Sequence, residues 1–141
     1  MMIEKFKILG SFIKDMSSET PDVETYLFVR DRISKYKLHI DISSKPLKNK
    51  LIEVNTTLKF ADDSENKKKS FFEIVYVTVV NVVAEIKEKK ELEKIILCDL
   101  QNKIYPQLET AFLNLIHNSG FPGIKFEKKI DFTELYKKRA N

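Results

Sequence analysis

Tyr36, Leu38, Ile40 and Ile42 alternate with Lys37, His39, Asp41 and Ser43, the two-residue period of a strand with one face in water. Ser44-Lys45-Pro46 and Lys48-Asn49-Lys50 close that run. A second alternation follows in Ile52, Val54, Thr56, Leu58 and Phe60, with Glu53, Asn55, Thr57 and Lys59 outward. The polar run 61–69 predicts a hairpin connection, longer than the tight two-residue kind. Upstream, Phe6–Ile13 reads as a strand with apolar side chains on both faces, Phe6, Ile8 and Phe12 against Leu9 and Ile13. Ser17-Ser18-Glu19-Thr20-Pro21-Asp22 predicts the end of regular structure. Residues 22–34 then form a connecting segment without a clear period, carrying Tyr26, Leu27, Phe28, Val29 and Ile33.

The run 71–83 differs from the other strands. Phe72, Ile74, Tyr76, Val80 and Val82 fall on one face, and Phe71, Val75, Val77, Val79 and Val83 on the other. Only Glu73, Thr78 and Asn81 interrupt the two sets. An antiparallel strand ordinarily keeps one wet face, and a chain of 141 residues has helices for one side only. Either the second face is covered within the same domain, or Val75, Val77 and Val79 form an oligomer interface.

The last third changes to helical spacing. Leu92, Ile95, Ile96, Leu100, Ile104, Leu108, Ala111, Phe112 and Leu115 recur at steps of three and four. Pro106 inside this stripe predicts a kink or a restart. Asn118-Ser119-Gly120 predicts a C-cap, Phe121-Pro122-Gly123 a turn, and Asp131 the N-cap of a short last helix with Phe132, Leu135 and Tyr136. Four strands followed by helices predict one α+β domain over residues 1–141.

Charge narrows the function classes. The net charge is +4, but the lysines alternate with acids, as in Glu85-Ile86-Lys87-Glu88-Lys89-Lys90-Glu91. Mixed runs of this kind make solvated faces more readily than phosphate tracks, so no nucleic-acid surface is expected. The N-terminus lacks an apolar signal region, no window is apolar enough to span a membrane, and Cys98 is the only cysteine. Those features predict a cytoplasmic protein.

Catalytic patterns are missing from the sequence. His39 and His117 lie on different elements, and Cys98 sits in an apolar helical stripe. No glycine-rich phosphate loop, paired-cysteine zinc pattern or nucleophile elbow occurs. The expectation is a non-enzyme without cofactor or metal.

Five short strings are similar to the SecB family of protein-export chaperones. Ile13-Lys14-Asp15-Met16-Ser17-Ser18-Glu19-Thr20-Pro21 resembles the family's first-strand signature, and Phe72-Glu73-Ile74-Val75-Tyr76 the core of its last strand. Ile104-Tyr105-Pro106 resembles the aromatic-proline step of its main helix, and Gly120-Phe121-Pro122 the turn after it. Ile130-Asp131-Phe132-Thr133-Glu134-Leu135-Tyr136 resembles the opening of its final helix. The strings run in order from Ile13 to Tyr136, and the family's order and approximate spacing are kept from residue 6 to 138.

The resemblance implies a four-stranded antiparallel sheet with a kinked main helix and a short C-terminal helix on one face, assembled as a homotetramer, a dimer of dimers. It implies an ATP-independent holdase that keeps preproteins unfolded and delivers them to the SecA motor, meeting the membrane only through the translocase. By motif, Asp15, Glu19 and Glu73, with Phe71 beside them, would face SecA. Tyr26, Phe28, Ile33 and Tyr136 would border the client groove. Two departures bear on the SecA step: the family is usually acidic, whereas this chain is basic, and its last residues, Lys137-Lys138-Arg139-Ala140-Asn141, carry no acid. A SecB-like chaperone with one dedicated non-secretory client is the nearest alternative, and a basic nucleic-acid-binding module the more distant one.

Overall fold

The computed structural model describes residues 5–83, 85–126 and 129–140. Strand β1 (Phe6–Glu19) leads through helix α1 (Val23–Arg30) and a 3-10 turn (Ile33–Lys35) to β2 (Lys37–Pro46), β3 (Leu51–Ala61) and β4 (Phe71–Val82). Helix α2 (Lys89–Lys94), a π-helical turn (Ile95–Asp99), α3 (Leu100–Asn118) and α4 (Phe132–Ala140) follow. The strands form one antiparallel sheet in the order β1-β4-β3-β2. This is the α+β plan the alternations predict.

β1 is 14 residues long and runs past the expected break to Glu19, which pairs with Phe71. Two register shifts, between Ile8 and Gly10 and between Ile13 and Asp15, explain its mixed faces. Each extra residue flips the side chains that follow to the opposite face. Phe6, Ile8, Ser11, Ile13, Met16 and Ser18 therefore share the helix-side face with Val82, Val80, Thr78, Tyr76, Ile74 and Phe72. Phe12, Asp15, Ser17 and Glu19 face the other way.

Residues 22–34 are also more regular than expected. Asp22 caps α1, accepting from the Thr25 backbone N–H at 2.8 Å, and Thr25 and Val29 turn inward. The polar signal that reads as a breaker is here a cap.

Helices cover one face only. Leu58, Phe60, Phe72 and Ile74 of the sheet pack with Leu108, Phe112, Ile116 and Phe132 in one cluster. Val54 and Val80 pack with Ile95, Ile96, Leu100 and Ile104 in a second. Pro106 lies within a continuous α3, so the helix does not restart at that residue. The departure from α geometry comes earlier, in the π-turn, where Gln101 Nε2 donates to the Ile96 carbonyl at 3.3 Å. Fully buried, Gln101 also reaches Thr56 on β3 at 3.1 Å and pins the main helix to the sheet.

Candidate binding surfaces

The uncovered face of the sheet carries the acidic positions. Across β1 and β4, Ser17 pairs with Glu73, Glu19 with Phe71 and Asp15 with Val75, so the four predicted SecA-facing residues form one patch. Phe71 is exposed there. Ser17 Oγ donates to Asp15 Oδ2 at 2.9 Å, and Lys59 Nζ lies 3.3 Å from Glu73 Oε2. Glu73 is thus half-buried and already has a cation beside it, while Asp15 and Glu19 are open to solvent.

Val75, Val77 and Val79 continue along the same face. Val77 is 2% exposed within this single chain, next to Phe12 and Asn55 in register, and Val75 and Val79 are half-buried. Larger apolar surface stands on β1, where Ile8, Leu9, Phe12, Ile13 and Met16 are all exposed. The apolar residues on both faces of this run are visible in the sequence, but the two register shifts decide which of them share a face.

The four predicted groove residues have different surroundings. Phe28 is open to solvent on α1, with Val23 and Leu27 exposed on the same helix, and the Arg32 guanidinium lies 5.5 Å from its ring centre. Tyr26 is half-buried: its ring meets Phe121 at 5.3 Å and its hydroxyl donates to the Gly120 carbonyl at 2.9 Å. Ile33 belongs to the core, because the 3-10 turn docks it beside Tyr36, so in this conformation it presents almost nothing to a client. Tyr136 lines a different place, a cavity of about 390 Å³ shared with Ile42, Ser44, Glu93, Ile96 and Leu97. The Tyr136 hydroxyl donates to the Lys90 carbonyl at 3.3 Å. That cavity contains none of Tyr26, Phe28 and Ile33.

Titratable groups away from these surfaces are structural. Asp62 is held down to about 2 by the Ser64 hydroxyl and backbone N–H, the Asn66 amide and Arg32. Burial, and then the Glu109 carboxylate, push the Tyr105 phenol upward. Cys98 is buried, with its sulfur 3.3 Å from Thr133 Oγ1. His39 pairs with Asp63 and His117 with the Ile124 carbonyl. Among the described residues no group of three or more His, Cys, Asp or Glu is placed to hold a metal.

The sequence matches the family model described as Preprotein translocase subunit SecB over residues 2–141. The chain belongs to the SecB family. It is 67% identical over 140 residues to a Pelagibacter ubique protein provisionally named protein-export protein SecB, covering 99% of this chain and 100% of that one. A Bradyrhizobium protein-export protein SecB is 24% identical over 133 residues, covering 94% of this chain and 80% of the relative. The fold is similar to that of a solved Mycobacterium tuberculosis SecB-like chaperone in complex with a ChAD peptide from the HigA1 antitoxin, with a TM-score of 0.66 at 10% identity over 89% of this chain and 91% of that one.

Within this SecB-family chaperone of protein export, two of the five strings now have physical reasons. Gly120 takes φ +109°, Gly120 N–H donates to the His117 carbonyl and Phe121 N–H to the Ile116 carbonyl, a Schellman end that sends Phe121 into the core. Asp131 Oδ1 accepts from Glu134 N–H at 3.1 Å, the expected cap of the last helix. No helix among the described residues is long and apolar enough to cross a membrane.

Proposed function

We propose that this SecB-family chaperone is an ATP-independent holdase that keeps unfolded precursor proteins from folding or aggregating and passes them to SecA. The observation that carries the reading is the apolar surface a folded domain leaves in water: Val23, Leu27 and Phe28 on α1, and the Tyr136 cavity at the far side of β2. Such surface can hold many sequences because it is shallow and adaptable rather than a shaped pocket. β2 is an edge strand whose Ile42 and Ser44 line the Tyr136 cavity, so its free backbone groups can bond to an extended client. Phe28 and Tyr136 are the principal client contacts, and Tyr26 acts mainly by fixing α1.

The Asp15, Glu19, Phe71 and Glu73 patch is the proposed docking place for a cationic SecA segment. Because Lys59 already neutralises part of Glu73, docking is weak and falls with salt. Titration with a SecA tail peptide tests this. Asp15→Lys with Glu73→Lys should abolish binding, and unchanged affinity in that double variant would remove the assignment.

Self-association is proposed along β1, whose unpaired edge and exposed Ile8, Leu9, Phe12, Ile13 and Met16 suit a second copy. Each such side chain taken out of water is worth up to roughly 1.5–3 kcal/mol. Val75, Val77 and Val79 then flank the junction. The working place is the cytoplasm, where unfolded precursors are met.

A second reading keeps the surface and changes the client to one dedicated partner. The similar fold of the M. tuberculosis chaperone, solved with an antitoxin peptide, favours it. A pull-down from native cytoplasm separates the two: many precursors support export, one abundant partner supports the dedicated role.

A further inference from the structure

The β2–β3 hairpin turns at Asn49 and Lys50, whose φ angles are +62° and +63°. Leu51 N–H donates to the Lys48 carbonyl at 3.3 Å, and Leu47 N–H to the Leu51 carbonyl at 2.8 Å. Two successive left-handed residues give the turn whose twist suits a hairpin, and the second place strongly favours glycine. A lysine is strained there, where glycine would be free. Strain retained at a surface turn asks what the side chain does.

Beside the turn is an apolar groove of about 560 Å³ between the hairpin and the segment leaving β4. Leu47, Leu51, Val82, Val83 and Leu92 line it, with Lys50 entering from the hairpin and Glu85 from the β4 side. Leu47 and Val83 are exposed despite having this groove beside them. Lys48 and Lys50 are both exposed, and neither has a carboxylate at ion-pair distance among the described residues. The groove shares no residue with the cavity that Tyr136 lines.

We propose that this groove is a second client site, which takes an apolar side chain of an extended segment whose neighbouring residue is Asp or Glu. The inference rests on the holdase reading and adds a substrate class to it. Apolar walls accept the anchor. The Lys50 ammonium, which lines the groove, donates to the carboxylate, Lys48 in the same turn adds positive potential, and Glu85 on the other side directs that carboxylate toward the hairpin. A solvent-exposed charge pair is weak, so the lysines set which segments bind more than how tightly.

The test uses the full-length chain and two fluorescent peptides with the same apolar core, one flanked by Asp and Glu and the other by Lys. Wild type should bind the acidic peptide more tightly, with the difference shrinking as salt rises. Lys48→Glu with Lys50→Glu should weaken the acidic peptide about tenfold and leave the basic one unweakened. Lys50→Gly makes the sharper case: relief of the turn should raise Tm by about 2–4 °C, while affinity for the acidic peptide falls about threefold. Benzoylphenylalanine in place of Leu47 should crosslink the acidic peptide. The proposal is overturned if Lys50→Gly and the double reversal leave acidic-peptide affinity unchanged, or if the probe at position 47 captures neither peptide. Peptide binding that is lost in Phe28→Ala and Tyr136→Ala but unaltered by the hairpin variants would keep the holdase and remove this site. No binding of either peptide to wild type would remove both.

Discussion

The Tyr26 hydroxyl donates to the Gly120 carbonyl at 2.9 Å and so ties α1 to the C-terminal end of α3 across 94 positions of chain. The glycine makes this approach possible. A Cβ on Gly120 would stand 2.7 Å from Tyr26 Cε1, and the φ of +109° is one that other residues rarely adopt. Gly120→Ala should cost about 1–3 kcal/mol of stability, because strain and overlap act together. Tyr26→Phe should cost only about 0.5–1.5 kcal/mol, the usual net worth of one hydrogen bond. Urea midpoints of the two variants check the order. Equal midpoints for wild type and Gly120→Ala would mean that this contact does not constrain the turn.

The buried bridge between Thr56 and Gln101 gives a second stability test. Both residues are fully buried, and their side chains lie 3.1 Å apart in the middle of the helix–sheet interface. Gln101→Leu alone leaves the Thr56 hydroxyl without that partner and should cost about 1–3 kcal/mol. Adding Thr56→Val should recover much of the loss, since removing both polar groups together is nearly neutral in a packed core. A double variant no better than the single one would place the cost in packing instead.

Strands with clean alternation were fully legible in the sequence, because a half-buried antiparallel strand forces the period onto its residues. Leu38 to Ile42 and Ile52 to Phe60 are where the pattern puts them. β1 was half legible, since two register shifts break the period that a strand reading depends on. α1 was missed because Asp22 and Thr25, polar residues that resemble a loop, are its cap and an inward position. Of the two outcomes Pro106 allows, the restart did not occur: a residue that cannot donate was absorbed within α3, and the π-helical turn formed upstream at Ile95–Asp99. Surface roles were the least legible. An apolar residue in a short helix reads the same whether it faces the core, like Val29 and Ile33, or water, like Phe28.

Acid should loosen the end of the molecule where the β3–β4 connection meets the 3-10 turn. Asp62 is held down to about 2 from its ordinary 3.8, so its folded form binds a proton less readily than its unfolded form. Its contribution is therefore complete above roughly pH 5 and is lost as pH falls through 4 toward 2. Asp62→Asn should lower Tm near neutral pH and reduce the fall of Tm between pH 5 and pH 2. An unaltered slope in that window would assign the acid sensitivity to other carboxylates.

The most direct measurement dilutes a chemically unfolded precursor into the purified protein without nucleotide and follows aggregation by light scattering. The account predicts that near-stoichiometric protein suppresses aggregation. Phe28→Ala with Tyr136→Ala should then require about tenfold more protein for the same effect, while Tm changes little because Phe28 is exposed and Tyr136 only half-buried. Aggregation that proceeds unchecked by the wild type, or suppression that appears only when ATP is added, would contradict the holdase.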